Sequence, residues 1–237
     1  MAFTWIKLND VLDLSFLFHF RMVSIIVTGA VAVGKSFLIN LIIEWFGADS
    51  IVLFPEFIHE DQIGQALLKK SFEGKVSPIT LQSYVMDQWL NNAKKNSSDE
   101  HKDKIKLFER LPIDAYEIFS STLSEAGKMS QREQLQSISQ FIPVDYDFPH
   151  DKTLWIRYHN SLSMDNSEQL KTQLETSIDK YEYIVIEITT DTPFINYLRR
   201  SRRGEKYSEE SINSLCDVYS VFLGQRRSKY SSIIEIN

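Results

Sequence analysis

Cysteine is all but missing from this 237-residue chain, where Cys216 stands alone. No internal disulfide can form, which suits a reducing compartment. Cys216 lies among helix-forming residues, where a packing role is expected. Basic residues are also in the minority, with 26 Lys and Arg against 32 Asp and Glu and a formal charge of -6. That balance argues against a broad nucleic-acid-binding face, which needs net basic surface. No apolar run is long enough to span a bilayer, and no internal repeat is visible. What remains, 43% hydrophobic and 24% charged, describes a soluble globular chain long enough for one α/β domain with a sizeable core.

One stretch organises the rest. Val23, Ile25, Ile26 and Val27 form a β-branched run, as in a strand buried on both faces of a parallel sheet. Gly29-Ala30-Val31-Ala32-Val33-Gly34-Lys35-Ser36 follows and fits G-x-x-x-x-G-K-[ST] at every fixed position. Phe37, Leu38, Leu41, Ile42, Trp45 and Phe46 then recur at helical spacing until Gly47. Strand, glycine loop and helix in that order predict a nucleoside triphosphate site. The glycines let successive N–H groups turn inward around an anion, and the helix N-terminus continues the cradle. Lys35 brings a point charge to the β- and γ-phosphates of the nucleotide, and the Ser36 hydroxyl is the candidate Mg²⁺ ligand.

Further along, Ile51–Phe54 reads as a second strand, ending in Pro55-Glu56-Phe57. Helices are predicted over 60–70 and from the Ser77-Pro78 cap through Leu90, with a solvated loop or frayed helix end over 91–104. Ile105–Phe108 forms a third strand ending at Glu109-Arg110. Residues 112–123, 131–140 and 166–180 look helical, and Thr153–Tyr158 is a possible extra strand. Tyr183–Ile188 is the clearest later strand. Helices then start at Thr192-Pro193 and at Ser208, the latter to about Leu223, and Ile233–Ile236 closes the sheet. Alternating strands and helices predict a three-layer α/β/α fold around a five-stranded parallel sheet.

Several short stretches, in order, resemble the deoxyribonucleoside kinases, a family that includes deoxycytidine kinase and the herpesvirus thymidine kinases. The phosphate loop is similar to that family's G-N-I-A-A-G-K-S, and Pro55-Glu56-Phe57 to its P-E-P. Leu81-Gln82-Ser83-Tyr84-Val85 resembles F-Q-[ST]-Y, and Glu109-Arg110 the start of E-R-S. Arg200-Ser201-Arg202-Arg203-Gly204-Glu205 looks like the herpesvirus R-x-R-P-G-E. The resemblance runs from Val23 to about Leu223 and implies a P-loop kinase. Its reaction transfers the γ-phosphate of ATP to the 5′-hydroxyl of a deoxyribonucleoside.

Read physically, Glu56 ends a strand beside the phosphate loop, where open α/β sheets bind ligands. It is either an exposed terminal carboxylate or, as the resemblance implies, the base that takes the 5′-hydroxyl proton. Arg110 would orient Glu56 and offset phosphoryl charge, and Glu109, as the resemblance suggests, would be the acidic partner of the metal; the other reading of the two is a surface Glu-Arg pair. Gln82 reads equally as a solvated glutamine or, by resemblance, as a bidentate reader of the nucleobase. Phe119 is either a stacking aromatic or a core residue. The arginines from 199 to 203 are a solvated helix end or a lid over about 199–206. In the lid reading Arg200 and Arg202 clamp phosphates, and Glu205 by resemblance binds the deoxyribose.

The sequence also departs from the family. Asp61 replaces a tryptophan five residues after the base glutamate, Phe72 lies near an expected sugar-binding tyrosine, and Pro112 interrupts the E-R-S continuation. Trp89 stands where deoxycytidine kinase has an arginine, which argues against cytidine and leaves thymidine or purine nucleosides. Residues 121–170 exceed the usual length. A homodimer is implied by the family alone. Two alternatives differ in class: a thymidylate-type monophosphate kinase, which carries Asp-Arg after the third strand, and a non-catalytic nucleotide-binding regulator.

The domain is expected over 22–237. Residues 1–21 read as a dispensable extension, because Met22 stands directly before the first strand; they make a poor secretory signal, since Asp10, Asp13 and His19 interrupt their apolar run and no small-residue cleavage site follows. They also lack the Arg-rich, acid-poor character of a mitochondrial presequence, so a cytoplasmic location is expected. A chain begun at Met22 should fold and keep its activity; loss of either, measured by circular dichroism and phosphate transfer, would overturn this reading of 1–21.

Overall fold

Among the described residues six strands, not five, make the sheet. The computed structural model describes residues 23–56, 61–96, 101–110, 114, 118, 148–160, 164–200 and 207–237. Its strands are β1 (Ser24–Thr28), β2 (Ile51–Phe54), β3 (Ile105–Glu109), β4 (Thr153–His159), β5 (Tyr183–Thr189) and β6 (Ile233–Ile236). They lie in the order β2-β3-β1-β5-β4-β6, and every pairing is parallel. Parallel neighbours require crossovers, which the helices supply. These are α1 (Lys35–Phe46), α2 (Gln62–Phe72), α3 (Pro78–Asn96), α4 (Met164–Ser177), α5 (Pro193–Arg200) and α6 (Glu209–Arg227). None of the described helices is long and apolar enough to cross a membrane.

The added strand is β4, the segment expected only as a possible extra one. It lies inside the sheet, paired with β5 on one side and β6 on the other. Leu154, Trp155 and Ile156 are consecutive and all buried, so both faces of β4 are covered. β5 behaves alike through Ile184, Val185 and Ile186, as does β1 through Ile25, Ile26 and Val27. Near-continuous apolar runs are what interior parallel strands show. The edge strands β2 and β6 bury only part of their residues.

A buried charge also lies among these interior strands. Glu187 on β5 is 2% exposed. Trp155 Nε1 donates to it at 2.9 Å, Arg227 NH1 donates from α6, and Arg157 on β4 stands 3.6 Å away. A buried carboxylate is tolerated when paired and hydrogen-bonded, and these three groups meet that condition. Arg157 also donates to Glu235 on β6 at 2.8 Å, so one charged row crosses three neighbouring strands.

Most helix boundaries follow the local chemistry. Ser77 accepts from Ile79 N just before α3, and Ser208 caps α6 by accepting from Ser211 N. α2 begins after Asp61, whose side chain accepts from Ile63 N. α3 continues to Asn96, into the stretch expected to be solvated, and α6 runs one turn past Leu223 to Arg227. The helices expected at 112–123 and 131–140, and residues 1–21, lie outside the described residues.

Trp155 fills the interior on one side of β4 and packs near Tyr230, with ring centroids 5.3 Å apart. Trp155→Ala should lower folding stability by about 3–5 kcal/mol, the usual cost of emptying a large aromatic site. Chemical denaturation checks this; a loss below about 1 kcal/mol would show that β4 adds little to the core.

Candidate active site

The glycine loop joins β1 to α1 at the carboxyl edge of the sheet, where its backbone takes turns open to few residues. Gly29 has φ +143° and Gly34 φ +108°, and Ala32 between them has φ +67°. At Gly29 a Cβ would stand 2.6 Å from the Ile188 carbonyl oxygen, so the loop can rest on the end of β5 only without a side chain. Alternation of right- and left-handed residues turns N–H groups to one side, which makes an anion cradle. α1 starts at Lys35 with no acidic residue in its first turn, leaving its N-terminal dipole free to face an anion.

The apolar residues of the loop hold it from below. Val31 and Ala32 are buried against Tyr197 of α5 and Ile212 and Leu215 of α6, while Ala30 and Val33 join the main core. Lys35 is buried at 4% exposure and donates to the Gly29 and Ala30 carbonyls at 3.1 and 2.7 Å. Its ammonium is thereby folded over the loop.

Opposite the loop, the ends of β2 and β3 bring three charged groups together. Glu109 is 4% exposed. One of its oxygens accepts from Ser36 Oγ at 3.3 Å and the other from the backbone N–H of Glu56 at 3.3 Å. Glu56 in turn pairs with Arg110, Oε1 to Nε, at 3.0 Å. Arg110 has φ +74°, a left-handed conformation that costs a non-glycine residue about 1–3 kcal/mol and concentrates at functional sites. Its NH1 donates to the Gly29 carbonyl at 3.2 Å and to the Tyr219 hydroxyl of α6. One guanidinium therefore touches the segment just after β2, the phosphate loop and α6.

Electrostatics keep that guanidinium charged. Burial by itself would push Arg110 down, but Glu56 above all, then Tyr219, Asp114 and Glu109, outweigh it and hold it above its ordinary value. Burial pushes the Tyr219 phenol well above its usual range, and the adjacent Arg110 only partly offsets this. Asp114 is fully buried and accepts from Thr28 Oγ1 at 2.7 Å, at the last residue of β1 before the loop.

Gln82 lies on α3 at 5% exposure, and its carboxamide oxygen has no hydrogen-bond partner among the described residues. Asp61 accepts from the Tyr84 hydroxyl, and that bond raises the Tyr84 phenol to about 12. The position that departs from the family's tryptophan thus carries a carboxylate tied to the tyrosine of the Gln82 motif.

The structure brings Glu56, Glu109, Arg110, Lys35 and Ser36 around the loop. Phe119, Arg202 and Glu205 lie outside the described residues, as do the side chains of Arg200, Phe72 and Trp89. Tyr219 escaped the sequence reading because a tyrosine at helical spacing in α6 reads as core, which in part it is. No set of three or more His, Cys, Asp or Glu among the described residues could by itself hold a metal.

Comparison with known proteins gives this geometry its context. Residues 25–180 match the sequence pattern of the deoxynucleoside kinase family. No curated protein matches the chain by sequence. Among solved structures it is similar to the deoxyadenosine kinase from M. mycoides with bound dATP. The two share 20% identity over 90% of each chain with a TM-score of 0.55, a likeness of fold. Matched over well more than half its length, the chain belongs to the deoxynucleoside kinase family, phosphotransferases that use ATP to phosphorylate deoxynucleosides.

Proposed function

We propose that Glu56 is the general base that takes the 5′-hydroxyl proton while that oxygen attacks the γ-phosphorus of ATP in the 29–36 cradle. The carrying observation is the 3.0 Å pair between Glu56 and Arg110, whose other arm rests on Gly29. It sets a carboxylate at a fixed offset from the phosphate loop. In-line phosphoryl transfer depends chiefly on such positioning and on compensating charge. Lys35 would swing from the loop carbonyls to the β- and γ-phosphates, and Arg110 would offset charge on the transferring group.

Magnesium belongs to the same reading. Ser36 and Glu109 supply a hydroxyl and a carboxylate 3.3 Å apart, hard oxygen donors of the kind Mg²⁺ takes when phosphates and waters complete its shell. Bound there, the ion would neutralise charge on the β- and γ-phosphates.

For the acceptor, Gln82 offers its unpartnered oxygen to an N–H on a nucleobase edge. Leaving such a buried acceptor unmade costs roughly 1–3 kcal/mol, so a base that supplies the donor gains affinity. Thymidine and purine deoxynucleosides are the candidates. The lid over about 199–206, with Arg200 and Arg202 on phosphate and Glu205 on the sugar, rests on the family resemblance, as does a homodimer; a cytoplasmic location and a domain over 22–237 rest on the character of residues 1–21.

Kinetics test these roles. Lys35→Ala should abolish transfer from labelled ATP across a panel of four deoxynucleosides and thymidylate. Glu56→Gln should keep nucleoside binding but lose about 10²–10⁴ in kcat, and turnover within about tenfold of wild type would remove the base from the mechanism. Tyr219→Phe deletes one Arg110 partner and should lower kcat about tenfold at nearly unchanged KM, as for loss of one hydrogen bond to a charged group. An unchanged kcat would show that Glu56 and Gly29 alone hold Arg110.

A further inference from the structure

The extra strand reaches the phosphate loop. Directly after β4, the Asn160 carboxamide donates from Nδ2 to the Val33 carbonyl at 2.9 Å, across 127 positions of sequence. The backbone of Asn160 is fixed on both sides. Its N–H donates to the Thr189 carbonyl at 2.8 Å, and its own carbonyl accepts from Thr190 Oγ1 at 3.3 Å. The preceding carbonyl, of His159, accepts from the buried Asn166 on α4 at 3.3 Å. At Gly34 any Cβ would run into Asn160 Nδ2, so this glycine clears the space that the carboxamide fills.

The trans peptide between Val33 and Gly34 is planar, and its C=O and N–H point in opposite directions. Holding the carbonyl toward β4 therefore turns the Gly34 N–H the other way. We propose that Asn160 is a positioning residue for phosphate binding: its carboxamide pins the Val33 carbonyl so that the Gly34 N–H faces the bound phosphates. The inference rests on the kinase reading of this loop and assigns β4 a part in it. A strand that served only the core would not need a polar terminus whose backbone is held by three hydrogen bonds and whose side chain sends a fourth to a loop beyond the neighbouring strand.

The test separates phosphate from nucleoside. Calorimetry with ADP and with adenosine, on the full chain, isolates the part of binding that the phosphates supply. Asn160→Ala should weaken ADP binding about five- to tenfold, the scale of one lost hydrogen bond, with adenosine and the acceptor nucleoside unchanged. Asn160→Asp keeps the shape but offers an anion in place of the donor, and its loss should be at least as large. In turnover assays the same variants should raise KM for ATP more than they lower kcat. ADP binding within twofold of wild type in both variants would overturn the proposal. So would equal losses for ADP and adenosine, or failure of both variants to fold, since either makes Asn160 a purely structural residue. A wild-type chain that binds ADP but phosphorylates no nucleoside would instead contradict the kinase reading, while the ADP comparison would still decide the role of Asn160.

Discussion

A single guanidinium holds the candidate site together. Arg110 forms an ion pair with the Glu56 carboxylate and donates to the Gly29 carbonyl and the Tyr219 hydroxyl, groups that come from the segment just after β2, the phosphate loop and α6. Its positive φ is a local cost that the surrounding contacts overcome. Because it is buried, loss of any partner would leave donors stranded away from water, which is expensive for a charged group. The same dependence makes its geometry reproducible. Glu56 cannot drift from the loop without breaking a buried ion pair.

The sheet supplies the rigidity on which this depends. Three interior strands, β1, β5 and β4, bury consecutive residues on both faces, and the loop emerges from one of them, β1. Beneath the loop, Val31 and Ala32 pack against α5 and α6, the helices that flank the arginine-rich segment. Above β5, Gly29 lies too close to the Ile188 carbonyl to carry a side chain. Apolar packing thus sets the height of the cradle, while Arg110 and Asn160 fix polar groups on two of its sides.

Much of this was legible in the sequence, for reasons that differ by element. The loop announced itself because its glycines, lysine and serine stand at fixed spacing between a β-branched run and an amphipathic helix. Strand ends at Glu56 and Glu109-Arg110 were readable because short apolar runs stop abruptly at charge. The position of β4 was not readable: periodicity identifies a strand but not its neighbours, so a segment late in the chain could enter the sheet between β5 and β6 unannounced. Tyr219 and Asn160 were invisible for a related reason. Their partners lie 109 and 127 positions away, and neither residue type departs from what a helix face or a strand end ordinarily carries.

The central claim is spatial, so the most direct measurement is spatial too: a crystal structure with a deoxynucleoside and a non-hydrolysable ATP analogue bound together. The account predicts the γ-phosphate in the 29–36 cradle and the 5′-oxygen within about 2.6–3.2 Å of a Glu56 carboxylate oxygen, the reach of a general base. A 5′-hydroxyl directed away from Glu56, with Arg110 still holding that carboxylate elsewhere, would contradict it.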